Sequence, residues 1–296
     1  MKLFYFFGLL LSLGSAKAQT DKSELKTSVN NNTLLWEISG NGLAKPSYLF
    51  GTFHLLCRED INFSNAFKKA IENSNEVCME LDMDDPATLM GGIMMMSMKE
   101  GKKLKDLYTP EEYKKISDFF KDSLQTPIGL FQSIKPELLT ALIYPKMMPC
   151  NTVSGVEEEI MQLARAGNKE IKGLETMAFQ SSVFDSIPYD KQARHLLEAI
   201  DSVEKRKISF GLLLTAYKNQ QFDELEKLMN DPESGIEDNR EVLLDNRNKN
   251  WVTQLKEIMK NTSVFTAVGA GHLIGENGLI ALLRAEGYTV RGLENK

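Results

Sequence analysis

Residues 264–272 read Val264-Phe265-Thr266-Ala267-Val268-Gly269-Ala270-Gly271-His272, an apolar run of strand type that leads into a glycine-rich turn ending in histidine. The same frame occurs near the other end of the chain, where residues 47–54 read Ser47-Tyr48-Leu49-Phe50-Gly51-Thr52-Phe53-His54. Both turns are G-x-x-H, and they hold two of the three histidines in the chain. A glycine at a strand end lets the backbone turn sharply or approach a ligand closely.

The position of these histidines predicts a metal site. Open α/β sheets place their ligands at the carboxyl edge of the strands, so we expect His54 and His272 to meet there as half of a ligand set. Residues 75–82 read as another buried strand that ends in carboxylates, and Glu80 is the expected third ligand, with Asp82 and Glu76 as alternatives. Two imidazoles and a carboxylate suit Zn, Mn, Co or Fe(II). Such an ion would lower the pKa of its bound water and supply hydroxide as a nucleophile.

The strand signals lie at the two ends of the chain and the helix signals lie between them. Apolar strand-type runs occupy residues 34–38, 47–51, 75–81, 169–174, 263–268 and 287–292. Residues 86–260 are otherwise rich in helix-opening and helix-periodic patterns. The expected fold is mixed α/β, in which N- and C-terminal strands build a central sheet around a large helical insertion. We expect residues 34–296 to form a single domain.

The first eighteen residues have the pattern of a secretory signal peptide. Lys2 precedes an apolar run from residue 3 to residue 13, and Ala16-Lys17-Ala18 is an A-x-A cleavage site. The run is too short to span a bilayer comfortably and no other run is long enough, so we expect an exported protein, periplasmic or extracellular, without a stable membrane span. Residues 19–33 are polar and read as a flexible leader.

The charge balance argues against nucleic acid as a partner. The formal net charge is −6, and cleavage after Ala18 would remove Lys2, Lys17 and no acidic residue, giving −8. Nucleic-acid binding depends on a basic footprint, which this chain lacks.

Three cysteines, Cys57, Cys78 and Cys150, allow at most one intramolecular disulfide and leave one free thiol. Cys78 lies inside an apolar strand pattern and is expected to be a buried thiol. Cys57 and Cys150 lie in loop-like segments, so we predict a Cys57–Cys150 disulfide.

The combined motifs resemble the TraB/GumN family, which is related to the TIKI metalloproteases and more distantly to the erythromycin-esterase and ChaN group. The residues that carry this resemblance extend over most of the chain and are Leu35-Trp36-Glu37-Ile38, Leu49 to His54, Glu80-Leu81-Asp82, Gly155-Val156-Glu157, Gly173-Leu174-Glu175-Thr176, Arg247-Asn248 with Trp251, and Val268 to Gly278 with Leu282-Leu283. The resemblance implies that His54, Glu80 and His272 form the catalytic and metal-binding set. It also implies a divalent metal ion (Mn, Co or Zn) and a peptide or protein substrate.

Three further residues are candidates for contacting substrate or supporting the site. The family usually has aspartate where this chain has Glu157, and Ser154-Gly155-Val156-Glu157 also reads as a helix capping box. Glu175 ends a strand and could be structural. Arg247 could steer a substrate carboxylate, neutralise the acidic cluster or lie on a helix surface. The third histidine, His195, is expected to be an ordinary exposed residue of a helix.

Three functions are compatible with these patterns. The first is a secreted metal-dependent hydrolase, a peptidase by resemblance, although the chain has no H-E-x-x-H and is not an ordinary zincin. The second is a non-catalytic protein that binds or sequesters a peptide or signal. The third, implied by the distant resemblance to the ChaN group, is a haem- or iron-handling protein. The sequence carries no signal that identifies the metal or the oligomeric state.

Overall fold

The computed structural model of the chain describes residues 32–231 and 239–296, so the predicted signal peptide and nearly all of the predicted leader lie outside the described residues. The strands are β1 (Leu35–Ser39), β2 (Ser47–Thr52), β3 (Leu56–Cys57), β4 (Glu76–Leu81), β5 (Val153–Ser154), β6 (Glu170–Glu175), β7 (Val264–Gly269) and β8 (Thr289–Gly292). Six of them form one sheet in the order β6-β4-β7-β2-β1-β8, while β3 and β5 pair separately.

The large sheet is mainly parallel. Strand β7 pairs in parallel with both β4 and β2, and β4 pairs in parallel with β6. Strand β1 is antiparallel to β2 and to β8, and a hairpin-type connection through Gly40 and Gly42 joins β1 to β2. Both glycines have positive φ, a conformation in which a side chain would be strained.

Helices occupy most of the chain between β4 and β7. The helices are α1 (Asn65–Asn73), α2 (Pro86–Met95), α3 (Pro110–Asp122), α4 (Pro136–Thr140), α5 (Val156–Ala166), α6 (Met177–Asp185), α7 (Tyr189–Asp201), α8 (Val203–Lys218), α9 (Phe222–Met229), α10 (Asn246–Asn261) and α11 (Leu279–Ala285). Local sequence explains several starts: Thr109 and Glu112 form a capping box with Pro110 at the first position of α3, and Thr176 caps α6.

The core lies on both faces of the two central strands. Every residue of β2 and of β7 is buried, which is typical of parallel strands covered on both sides. Phe50 and Phe265 contribute aromatic rings from these strands, and Phe67 of α1 packs edge-on against both, with ring centroids 4.7 and 5.1 Å away. The prediction of a mixed α/β fold is therefore confirmed.

The disulfide prediction is also confirmed. Cys57 and Cys150 are bonded, with their Cα atoms 5.9 Å apart, and Cys78 is a buried free thiol. Burial raises the pKa of the Cys78 thiol to about 12, so it stays protonated. Within residues 32–231 and 239–296, the structure contains no helix long and apolar enough to cross a membrane.

The prediction of an exposed His195 is wrong. His195 lies on α7, is only 7% exposed, and contacts the buried carboxylate of Glu137 at 3.2 Å through Nδ1. Glu137 is on α4, which packs against α7, so the histidine faces another helix instead of solvent. Helices α7 and α8 meet at Ser202, which follows the last residue of α7 and precedes the first residue of α8.

Candidate functional site

Four strands of the large sheet end at one edge, because β2, β4, β6 and β7 are parallel. His54 follows the end of β2, Glu80 lies near the end of β4, Glu175 ends β6, and His272 follows β7. The central place of β7 brings the first and second G-x-x-H turns side by side, although they are far apart in the sequence.

Gly269 marks the point where the three predicted ligands meet. A β-carbon built on this glycine would lie 3.3 Å from Glu80 Oε1, 3.7 Å from His54 Nε2 and 3.8 Å from His272 Cδ2. Three side chains from three strand ends therefore surround one position, and the two imidazole rings approach each other to less than about 8 Å, since each lies within 4 Å of that position. The absence of a side chain at residue 269 keeps the position open.

His54 is oriented by Glu157. Its Nδ1 lies 2.7 Å from Glu157 Oε1, and both side chains are nearly buried. Burial alone would lower the pKa of His54, but the Glu157 carboxylate, assisted by Glu80, raises it to about 9. The other ring nitrogen, Nε2, is buried and has no hydrogen-bond partner among the described residues. An unpaired buried nitrogen requires an explanation, and a bound ion or water molecule is one that fits a ring nitrogen beside a carboxylate.

Glu157 does not have the capping role that Ser154-Gly155-Val156-Glu157 suggested. Ser154 belongs to β5, and the residue that precedes α5 is Gly155, which makes no side-chain cap. Glu157 is instead at the second position of α5, where its carboxylate faces His54.

Glu80 is held as an ionised carboxylate. Its Oε1 accepts the Gly269 N–H at 2.9 Å, and its Oε2 accepts from Arg247 Nη2 at 2.7 Å and from Gln180 Nε2 at 3.3 Å. Burial would raise the pKa of Glu80, but the Arg247 guanidinium, nearby histidines and the Gly269 N–H lower it to about 2. The alternatives lie elsewhere: Glu76 is at the opposite end of β4, paired with Lys172, and Asp82 is beyond the strand beside Asp84.

His272 is neutral and has a defined tautomer. Its Nδ1 lies 2.7 Å from Asn248 Oδ1, and Asn248 Nδ2 donates to Asn277 O, so the Asn248 oxygen is the atom that faces the ring. Nδ1 therefore carries the proton and Nε2 presents a lone pair. Burial and the neighbouring Arg247 lower the pKa of His272 to about 3.

Arg247 is the cation at the centre of the site. Its Nε and Nη2 bind both oxygens of Glu175 at 2.9–3.1 Å, and its Nη1 lies 3.2 Å from His272 Nε2. A π-helical turn, Glu241–Asp245, precedes α10, and the Leu243 carbonyl of that turn accepts from Nη1 at 2.9 Å. Such turns are frequent at functional sites. Arg247 thus compensates the negative charges of two carboxylates, Glu80 and Glu175.

The donor set has the chemistry of a divalent-metal site. Both histidines have Nδ1 engaged by an oxygen, the arrangement that fixes metal-binding imidazoles, while Nε2 of each faces the region beside Glu80. His272 Nε2 lies 3.8 Å from Glu80 Oε1. Two features of the site would change when a metal ion binds. Arg247 would give up its contact with the lone pair on His272 Nε2, and His54 would release its proton. Among the described residues, the ligand atoms of His54, Glu80 and His272 do not all lie within 4.8 Å of one another. The group that does, Cys57, Glu59 and Cys150, has both of its sulfurs in the disulfide.

Sequence reasoning missed two residues of this site, Asn248 and Gln180. Both are buried polar residues on helices, at 1% and 3% exposure, and both contact a predicted ligand. Asn248 belongs to the Arg247-Asn248 pair that carries the family resemblance. Its contact with His272 could not be predicted, because that contact depends on α10 facing the sheet edge. Gln180 has no distinguishing motif around it.

Comparison with known proteins agrees with the motifs. The zebrafish (Danio rerio) protein named Metalloprotease TIKI1 is 22% identical over 88% of this chain and 63% of its own length. Metalloprotease TIKI2 of Danio rerio is 20% identical over 97% of this chain and 65% of its own length. This chain therefore spans less than two thirds of the length of these relatives. Metalloprotease TIKI2 of Xenopus tropicalis is 30% identical over 31% of the chain. No solved structure gives a significant match.

The profile of the TraB/PrgY/gumN family matches residues 34–292, a range that contains every strand of the sheet and both G-x-x-H turns. The chain belongs to the TraB/PrgY/gumN family.

Proposed function

We propose that this protein is an exported, metal-dependent hydrolase that acts as a peptidase, with the metal ion held by His54, Glu80 and His272. The observation that carries the proposal is the meeting of these three side chains around Gly269, with His54 Nε2 buried and unpaired among the described residues. The relatives named as metalloproteases support metal-dependent proteolysis. The Cys57–Cys150 disulfide supports an oxidising, exported setting after cleavage near Ala18.

The residues of the site would have different duties. Glu80 and His272 are unprotonated at neutral pH, as ligands must be. His54 carries a proton in the metal-free protein, and Glu157 would keep its ring oriented after that proton leaves. Arg247 would hold Glu80 in place and balance Glu175. When bound, the divalent ion would polarise a substrate carbonyl and lower the pKa of a bound water.

The route to the site supports a substrate that approaches past His54 and Glu80. Their side chains are 14% and 12% exposed, whereas those of His272 and Arg247 are 3% and 6% exposed. A substrate would therefore approach from the side of His54 and Glu80, with the more deeply buried His272 and Arg247 behind them.

A second candidate is a peptide-binding protein of the same fold that does not need metal. The observation that favours it is the 3.2 Å contact between Arg247 Nη1 and His272 Nε2, because it supplies the site with a permanent cation. This candidate predicts peptide affinity that survives chelation.

The two candidates separate in one experiment. The metal-free protein is loaded with Mn, Co or Zn, its metal content is measured, and a peptide library is analysed by mass spectrometry for cleavage. Glu80→Gln should abolish metal binding and turnover, whereas the matched control Glu76→Gln, at the opposite end of the same strand and paired with Lys172, should retain both. Equal metal binding by the Glu80→Gln variant, or peptide binding without cleavage by the metal-loaded wild-type protein, would overturn the hydrolase proposal.

A further inference from the structure

His54 and Glu157 are joined by a small ribbon outside the main sheet. Strands β3 and β5 pair antiparallel over only two residues each, Leu56–Cys57 with Val153–Ser154. Two further backbone hydrogen bonds extend the pairing, from Arg58 N to Thr152 O at 3.0 Å and from Val156 N to Phe53 O at 3.1 Å. His54 precedes β3 and Glu157 follows β5, so the register of this β3–β5 ribbon sets their contact.

The disulfide crosslinks this ribbon. Cys57 is the last residue of β3, and Cys150 lies three residues before β5. The two cysteines are separated by 93 positions, which include α1 to α4, so the strands of the ribbon are not neighbours in the chain. Two-stranded pairings of this size are marginally stable by themselves. The covalent link is the strongest connection between the two halves of the ribbon.

We propose that the Cys57–Cys150 disulfide is a positioning element of the site, which holds the Glu157 carboxylate against His54 Nδ1 and so aims His54 Nε2 at Glu80. Among the described residues, His54 is the ion-pair partner of Glu157, and the 2.7 Å contact depends on the ribbon staying in register. The link acts through Glu157 and does not itself touch the region around Gly269. This proposal rests on the proposed function in one respect, because it takes His54 to be a metal ligand.

A double-mutant cycle tests whether the disulfide acts through Glu157. The variants are Cys57→Ala/Cys150→Ala, Glu157→Gln and the combination, each loaded with metal and assayed on a cleaved peptide. Loss of a group that orients a metal ligand typically costs about 10–100-fold. We expect the Cys57→Ala/Cys150→Ala substitutions to lower kcat by about tenfold when Glu157 is present. In the Glu157→Gln background the same substitutions should lower kcat by less than about twofold, and KM should stay unchanged in both cases. Equal losses in both backgrounds would show a general structural role and overturn the inference.

An NMR measurement tests the role of the disulfide independently of catalytic activity. In protein labelled with ¹⁵N-histidine, the Nδ1–H proton of His54 bound to Glu157 should give a resolved signal that Glu157→Gln abolishes. The cysteine variant should weaken or shift this signal while leaving that of His272 Nδ1–H, bound to Asn248, unchanged as an internal control. An unchanged His54 signal in the folded cysteine variant contradicts the inference.

Two further outcomes are distinguishable. If the wild-type protein cleaves no peptide with any metal, the proposed function fails while the NMR comparison still tests the role of the disulfide. If the cysteine variant does not fold, mild reduction of folded wild-type protein provides the same comparison, since Cys78 is buried and remains a thiol throughout.

Discussion

Arg247 is the residue that compensates the negative charges of Glu80 and Glu175. It is buried between Glu80 and Glu175, and no other described cation contacts either carboxylate. Removing one member of a buried ionic group is costly because the remaining charges stay buried without a partner. The same guanidinium also packs 4.8 Å from the centre of the Trp251 ring, which keeps it on the sheet side of α10.

Arg247→Ala should therefore lower the free energy of unfolding by about 3–5 kcal/mol. The matched control is Arg291→Ala, which removes a largely exposed pair with Glu37 and should cost less than about 1 kcal/mol. Urea denaturation of both variants measures the difference. A loss for Arg247→Ala no larger than that for Arg291→Ala would mean that the two carboxylates are compensated by other groups.

The His54–Glu157 pair predicts a pH dependence for the metal-free protein. The folded pKa of His54 is about 9, above its ordinary value of 6.5, so the folded state binds this proton more tightly than the unfolded chain. The stability that the pair contributes is complete below pH 6.5 and is lost as the pH rises to 9. NMR titration of the His54 ring should show this raised pKa, and Glu157→Gln should lower it. A His54 pKa near 6.5 in the wild-type protein would contradict the ion pair.

At the scale of secondary-structure elements, the end of β7 lies at the point that the three candidate ligands share. Gly269 has φ −49° and ψ 136°, which any residue can adopt, so its lack of a side chain matters for space and not for backbone conformation. The methyl group of alanine would enter the position between Glu80, His54 and His272.

Gly269→Ala should weaken metal binding and turnover strongly while changing the free energy of unfolding by only about 1 kcal/mol. Gly129→Ala is the matched control, because a β-carbon there would meet no atom within 4 Å. Calorimetric titration with metal and thermal denaturation report the two effects separately. Wild-type metal affinity in Gly269→Ala would place the ion away from this glycine.

The sequence predicts which residues lie at the ends of the parallel strands. It does not predict which helices pack against each other. The convergence of His54, Glu80 and His272 follows from parallel strands, because residues after such strands share an edge whatever the rest of the chain does. His195 shows the opposite case: its burial against Glu137 depends on how α4 packs on α7, and no local pattern records a pairing across 58 positions. The contact of Glu157 with His54 was missed for the same reason, since the β3–β5 ribbon has only two residues per strand.

At the scale of the whole molecule, Gln220 ties together the two ends of the described chain. Its Oε1 accepts from Leu34 N at 3.4 Å and from Asn295 Nδ2 at 3.0 Å, and its Nε2 donates to Asn295 O. These contacts lie beside the edge where β1 and β8 pair. One amide thus links the first and last strands of the sheet to the end of α8.

Gln220→Ala should lower the free energy of unfolding by about 1–2 kcal/mol, because several partly buried hydrogen bonds are lost. Gln125→Ala is the matched control, since Gln125 has a similar positive φ of 52° against 53°, and the described residues show no side-chain hydrogen bond for it. Because alanine is strained at positive φ in both variants, the difference between their thermal shifts reports the lost side-chain hydrogen bonds of Gln220. Equal thermal shifts in the two variants would show that the amide does not join the chain ends.

The place of β7 has a consequence for the time at which the candidate site forms. This strand separates β2 from β4, yet it is synthesised after all of the residues that precede Val264. The nascent chain therefore holds His54 and Glu80 without the strand that brings them together, and Gly269 and His272 arrive in the same final step. A chain that has not been synthesised as far as His272 therefore cannot contain the candidate site, whatever the rest of it has folded into.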